Sequence, residues 1–204
     1  NDGQQTFTAH AISAASDGPE SIYTADVDSD GDLDVLAASS NDNTIAWYEN
    51  RTLHYSANFP TQFVISAAAV GATSVTAADV DRDGDMDILS ASAADDKIAW
   101  YANDGAQNFD PYTITTAADG AMSVTTADVD SDGDTDVLSA SYNDGEIAWY
   151  ENDGSQIFTT HTITTIYHAE SVYAADVDGD GDVDVLSASG GYDSKVVWYE
   201  NDGS

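Results

Sequence analysis

Between Asp26 and Asp34, in the stretch DVDSDGDLDV, five aspartates stand at alternate positions with one glycine, Gly31, among them. Carboxylates this close repel one another, so in a folded loop they protonate, splay apart or share a cation. Calcium takes about 6–8 oxygen ligands, many of them from carboxylates. The order D-x-D-x-D-G supplies side chains from loop positions 1, 3 and 5. Glycine at position 6 permits the sharp turn, position 7 offers its backbone carbonyl, and position 9 closes the shell. The loop occurs four times. The expected ligands are Asp26, Asp28, Asp30, Asp32 and Asp34; Asp79, Asp81, Asp83, Asp85 and Asp87; Asp128, Asp130, Asp132, Asp134 and Asp136; and Asp176, Asp178, Asp180, Asp182 and Asp184. Of these, Asp32, Asp85, Asp134 and Asp182 act through the carbonyl. About four Ca2+ ions are expected, one per repeat. Magnesium fits less well, because it demands a tight octahedron and keeps its waters.

An EF-hand also opens with alternating acids, but it requires a bidentate Glu at position 12 and a helix on each side. Position 12 here holds Ala37, Ser90, Ser139 and Ser187. The flanks are strand-like: SIYTADV precedes the first loop and DVLAASS follows it.

The elements that carry the loops follow from their spacing. The first aspartates fall at 26, 79, 128 and 176, a period of about 50 residues that suits a four-stranded propeller blade. The last repeat reads QIFTTHTITT, ESVYAADV, the loop, DVLSASG and KVVWYEN. These are short runs of Val, Ile, Thr, Tyr and Trp separated by Gly, Asn and Asp. Val196, Val197, Trp198 and Tyr199 are consecutive, so period-2 alternation is lost, as in a sheet covered on both faces. The reading is an all-β, single-domain β-propeller of four-stranded antiparallel blades. The blades span approximately 21–65, 74–116, 123–165 and 171–204 plus 1–13. Residues 4–13, QQTFTAHAIS, repeat the outer-strand segment QIFTTHTITT. The N-terminal strand is therefore expected to pair with the C-terminal blade and close the ring, removing its open edges. A monomer is the expected state; the alternatives are two chains pairing into a larger, eight-bladed ring, or a chain that is part of a longer array. Residues 51–63 replace the Asp-Gly turn of the other repeats and are expected to form an extended loop. The aspartate loops and the NDG turns should share one face, with the more variable loops on the other.

At this point the repeats are recognisable. D-x-D-x-D-G-x-x-D between two strands resembles the FG-GAP/VCBS repeats of calcium-binding β-propellers. Members occur in integrin α-subunits, in secreted bacterial VCBS proteins and in lectins of the Psathyrella velutina type. The resemblance covers essentially the whole chain and implies a calcium-binding propeller. It implies glycan or extracellular protein as partner, or a role as accessory domain of a secreted polysaccharide-degrading enzyme. Four repeats are fewer than the seven blades of the integrin and fungal propellers.

The net charge is −34, from 38 acidic and 4 basic side chains, which repels nucleic acid and anionic membranes. There are no cysteines, hence no disulfides, thiolate nucleophile or Cys-based zinc site. No run of 18 apolar residues spans a membrane. Calcium loops of modest affinity suit a millimolar-calcium compartment, so secretion is expected. Catalysis is not expected. His10 and His161 occupy the same repeat position, His54 lies in the irregular segment, and His168 has no evident nucleophile. Trp47, Trp100, Trp149 and Trp198, each followed by Tyr48, Tyr101, Tyr150 or Tyr199, are read first as packing between blades. The sharper alternative is that some of their ring faces open into clefts and stack on sugars.

Overall fold

A computed structural model describes residues 9–51, 57–191 and 194–203. Four antiparallel sheets follow one another along the chain. Blade 1 is β1 (Pro19–Ala25), β2 (Asp34–Ser39), β3 (Thr44–Glu49) and β4 (Thr61–Ser66). Blade 2 is β5 (Ala72–Ala78), β6 (Asp87–Ser92), β7 (Lys97–Asn103) and β8 (Phe109–Thr115). Blade 3 is β9 (Ala121–Ala127), β10 (Asp136–Ser141), β11 (Glu146–Asn152) and β12 (Phe158–Thr165). Blade 4 is three-stranded: β13 (Ala169–Ala175), β14 (Asp184–Ser189) and β15 (Lys195–Tyr199). Each sheet is a meander in chain order, and no α-helix occurs among the described residues. The all-β propeller arrangement read from the repeat period is therefore the observed one.

The two faces of a blade differ, and adjoining blades use opposite ones. Leu36, Ile45 and Trp47 of blade 1 pack on Val75, Ile88 and Tyr101 of blade 2. Leu89, Ile98 and Trp100 of blade 2 meet Val124, Val137 and Tyr150 of blade 3. Leu138 and Ile147 of blade 3 do the same with Val172 and Val185 of blade 4. Consecutive residues such as Trp100 and Tyr101 thus point to opposite faces of one strand, both buried. The missing alternation was the signature of this double burial. Among the inner strands, β1 packs against β5, β5 against β9 and β9 against β13, and no comparable packing joins β13 to β1. The expected closure within one chain is not made by the described residues, which form an open arc. Residues 1–8, the greater part of the strand expected to close it, lie outside the described residues.

A side chain bolts each blade to the one before. The amide of Asn103 donates to the carbonyl of Val27 in blade 1 at 3.2 Å and to that of Met86 at 3.1 Å. Asn152 reaches Val80 at 3.3 Å and Thr135 at 3.1 Å. Asn201 reaches Val129 at 2.9 Å and Val183 at 3.2 Å. Asn152 is fully buried, so its loss strands the buried carbonyl of Val80, worth about 1–3 kcal/mol, and the half-buried one of Thr135. The variant Asn152→Ala should lower the melting temperature by roughly 5–10 °C in calorimetry; a shift within about 1 °C would show that the bolt is not energetically important.

Candidate metal centres and inter-blade clefts

The four aspartate loops link the first and second strands of their blades, and each is held by its own carboxylates. The position-1 aspartate accepts the N–H of the position-6 glycine in every loop: Gly31 to Asp26 at 3.1 Å, Gly84 to Asp79 at 3.1 Å, Gly133 to Asp128 at 3.0 Å and Gly181 to Asp176 at 3.2 Å. These glycines have φ between +91° and +102°, a region closed to residues with a Cβ. Space is no obstacle, since a Cβ at Gly31, Gly84 or Gly181 would meet nothing within 4 Å.

The position-9 aspartates Asp34, Asp87, Asp136 and Asp184 are wholly buried. One oxygen of each accepts the N–H of loop position 2, at 3.1 Å from Val27, 3.0 Å from Val80, 3.0 Å from Val129 and 2.9 Å from Val177. The other accepts the N–H of the asparagine after the third strand, at 2.7 Å from Asn50 and 2.8 Å from Asn103, Asn152 and Asn201. Position 9 therefore ties the loop to the far end of the blade as well as facing the centre. The sequence reading gave it only the second role.

Ligand atoms of positions 1, 3 and 9 converge within 4.8 Å in the second, third and fourth loops: Asp79, Asp81 and Asp87; Asp128, Asp130 and Asp136; Asp176, Asp178 and Asp184. In the first loop Asp26, Asp28 and Asp30 do so. One carboxylate oxygen each of Asp28, Asp79 and Asp128 is buried with no hydrogen-bond partner. A buried, unpartnered carboxylate oxygen beside other carboxylates is costly, and a hard divalent cation is the partner that such an oxygen-only donor set suits. The residues present thus fit one cation per repeat. The position-5 side chains Asp83, Asp132 and Asp180 lie outside these groups, each accepting the N–H of position 7.

The position-7 side chains turn away from the centre. Those of Asp85, Asp134 and Asp182 lie over Gly105, Gly154 and Gly203 of the NDG turns, 2.4–2.7 Å from where a Cβ would sit. The loops and NDG turns therefore share a face, and the turn glycines are required by their positive φ of +66° to +73°. This leaves the position-7 carbonyl as the donor, as the spacing suggests. Asp134 also pairs with Arg82 of the preceding loop at 2.7 Å.

Burial pushes the carboxyl of Asp87 up to about 6, against the pull of the Asn103 and Val80 N–H groups and of the Trp100 indole facing it. The same cause raises Asp34 and Asp136, and, beside neighbouring carboxylates, Asp28, Asp81 and Asp130. Asp184, in the last blade of the described residues, goes the other way, lowered by the N–H groups of Asn201 and Val177.

The recurrent aromatics are mostly interior. Trp47, Trp100, Tyr48, Tyr101 and Tyr150 are buried, Trp149 and Tyr199 partly so, and Trp198 alone is open. The tyrosine hydroxyls bond serines of the neighbouring strand, Ser139 to Tyr150 at 3.0 Å and Ser187 to Tyr199 at 3.1 Å. Three tryptophans stack on the residue opposite in the outer strand: Trp47 on Phe63, Trp100 on Tyr112 and Trp149 on His161, at 4.7, 4.8 and 4.6 Å. It is Tyr112, 51% exposed, that offers a ring face to solvent. The sequence reading missed it, although its place opposite Trp100 follows from counting back from the NDG turn.

Tyr112 lines a cleft of about 340 Å³ between blades 2 and 3, with Asp81, Trp100, Thr113, Ser155 and Gln156. A related cleft of about 220 Å³ between blades 3 and 4 is lined by Asp130, Ser131, Trp149, Asp182 and Asn201. Each is walled by a position-3 aspartate and a third-strand tryptophan of one blade and by the loop or turn of the next. On the opposite face His168 is stacked between Tyr142 and Tyr167 at 3.9 and 3.7 Å. His161 bonds Glu151 at 2.7 Å. His54 lies outside the described residues.

The FG-GAP-like repeat model matches the chain at residues 1–37, 26–90, 79–139 and 128–187. No curated protein matches it in sequence. Among solved structures it is similar to an Agrocybe aegerita lectin that recognises non-reducing terminal N-acetylglucosamine. That match has 16% identity and a TM-score of 0.57, over 82% of this chain and 46% of that one. A virginiamycin B lyase from Staphylococcus aureus matches at 14% identity and a TM-score of 0.53, over 91% and 56%. BBS1N in complex with ARL6DN matches at 10% and 0.53, over 90% and 51%. These likenesses are of fold, and the chain spans about half the length of each structure.

In the metal-free chain, the Asp87 carboxyl, raised by burial, contributes stability that is present below about pH 4 and lost as pH rises through about 6, and the other raised carboxyls act in the same direction. Cation binding needs them ionised, so its stabilising effect should grow over the same window. With about 2 mM calcium and a dissociation constant of about 0.1 mM, each site contributes about 2 kcal/mol. Calcium should therefore raise the melting temperature by tens of degrees at pH 7.5 and far less at pH 4.5. An equal rise at both, or none, would count against the metal centres.

Proposed function

The chain belongs to the FG-GAP-like repeat family, and from that premise we propose that it is a calcium-stabilised, secreted binding propeller whose ligand is carbohydrate. The observation that carries this reading is the cleft between blades 2 and 3. Tyr112 rests one ring face on Trp100 and leaves the other to solvent. Around it stand Thr113, Ser155 and Gln156, able to donate and accept hydrogen bonds, and the carboxylate of Asp81. An aromatic platform ringed by such groups is the arrangement that binds a pyranose, whose apolar face stacks while its hydroxyls are bonded at the edge. The fold likeness to a lectin that recognises N-acetylglucosamine supports the ligand class.

In this reading calcium acts through the fold. Asp81 belongs both to the cation group and to the cleft wall, so loss of the ion disorders one side of the site. The related cleft between blades 3 and 4 offers a second weak site to one multivalent glycan, which gives avidity without any tight single site.

A glycan array probed in about 2 mM calcium should give binding that free sugar inhibits. The variant Tyr112→Ala should weaken it at least tenfold, about 1.4 kcal/mol, while the melting temperature stays within about 2 °C. A blank array with folded protein would replace the carbohydrate reading with a protein-binding one.

A further inference from the structure

We infer that the second and third aspartate loops take up their cations as a coupled pair, each occupied loop raising the affinity of the other, while the first and fourth act singly. The inference rests on the metal reading of the loops given above. At each of the three blade junctions an asparagine amide reaches back to the carbonyl at loop position 2 of the blade before. Between blades 2 and 3 two further side chains cross, both of them from loop to loop.

Arg82, at position 4 of the second loop, pairs with Asp134, at position 7 of the third, at 2.7 Å. Its guanidinium also lies over Gly133, 3.2 Å from where a Cβ would sit. In the opposite direction the hydroxyl of Thr135, position 8 of the third loop, donates to the carbonyl of Asp79 at 3.1 Å. Both bridges end on residues that shape a centre. Asp79 belongs to the ligand group of the second loop. The N–H of Gly133 is bonded to Asp128 of the third at 3.0 Å, and Asp134 offers that loop its backbone carbonyl.

The other two junctions carry different residues at these places. Position 4 is Ser29 in the first loop and Ser131 in the third; position 8 is Met86 in the second and Val183 in the fourth. Serine has neither the reach nor the charge of arginine, and methionine and valine have no hydroxyl to donate. Between blades 3 and 4, Ser131 and Asp182 are the counterparts of Arg82 and Asp134. They stand on the walls of the open cleft of about 220 Å³.

Each loop gathers five aspartates that repel one another until a cation holds them, so part of the binding energy goes into ordering the loop. Once the second loop is held, Arg82 and the carbonyl of Asp79 stand where Gly133, Asp134 and Thr135 meet them. The third loop then has less ordering left to meet. A first ligand that lowers the ordering cost of a second gives positive cooperativity without a change of shape, and linkage makes the effect reciprocal. Repulsion between neighbouring cations opposes it at every junction, so a comparison between junctions isolates the side chains. The same junction holds the Tyr112 cleft, with Asp81 on one wall and Ser155 and Gln156 on the other. The paired loops therefore brace that cleft, whichever ligand it takes.

In each loop the position-6 glycine N–H donates to the position-1 aspartate. The amide resonances of Gly31, Gly84, Gly133 and Gly181 thus report the four loops separately in one calcium titration followed by NMR. Gly84 and Gly133 should move together, over a narrower range of calcium than Gly31 or Gly181. The variant Asp81→Asn should raise the calcium concentration at the Gly133 midpoint about fivefold or more and leave that of Gly181 within about twofold. Asp130→Asn should move the Gly84 midpoint by the same factor as Asp81→Asn moves that of Gly133. Arg82→Ser with Thr135→Val places at this junction the residue types found at the next. In that background Asp81→Asn should shift Gly133 by less than about twofold. Arg82→Ser alone, at a side chain 50% exposed, should already remove part of the coupling. A Gly133 midpoint that Asp81→Asn leaves in place would overturn the inference, as would a shift that survives the double variant intact. Four amides indifferent to calcium would remove the metal centres and the inference with them.

Discussion

Everything in this molecule hangs on a carboxylate with two oxygens and two obligations. The position-9 aspartate sits out of water at the base of its loop, and each oxygen accepts a backbone N–H from a different stretch of chain. One bond shapes the loop, and the other fixes the end of the third strand. The asparagine fixed there turns its own side chain to the preceding blade. Metal loop, blade and blade junction are thus consecutive links from one buried charge. A charge held in so dry a place calls for compensation. The raised titration of Asp87, and the unpartnered oxygens of Asp79 and Asp128, measure how far backbone donors alone fall short.

The fold and the metal loops were legible in the sequence because the pattern that specifies them is local and repeated. Asp-x-Asp-x-Asp-Gly states its chemistry within nine residues, and four copies give the blade period. The loss of alternation read from Val196–Tyr199 holds for the equivalent run in β7, which is buried on both faces, but not for β15 itself, where Val196 and Trp198 are exposed because no further blade covers that face among the described residues. Less legible was what depends on partners distant in sequence. The stacking of Trp100 on Tyr112 needs the register of two strands, and the exposure of Tyr112 needs the width of the cleft beyond it. The recurrent tryptophans drew attention as ring faces for a ligand, whereas burial assigns most of them to the junctions. Ring closure lay further still from local pattern.

The irregular segment between β3 and β4 shows how the frame absorbs a departure. Where the other repeats have Asp-Gly, this one has Arg51; residues 52–56 of the expected loop lie outside the described residues, and residues 61–63 already belong to β4 rather than to a loop. Asn58 returns to the oxygen of Asn50 at 3.0 Å, and Phe59 packs on Ala37, Ala46 and Tyr48. The asparagine keeps its place while the turn beyond it changes, consistent with its bond to the buried carboxylate being the fixed point.

The asparagine bolts all point the same way. Asn103, Asn152 and Asn201 each reach back to a carbonyl of the blade made earlier, and none reaches forward. A chain emerging from a ribosome at about 5–20 residues per second would therefore present each new blade to a finished surface whose acceptor is already in position. Assembly of this kind has a direction as well as a nearest-neighbour energy. Duplicating a whole repeat would carry its own bolt with it, and so lengthen the array without redesigning the seam.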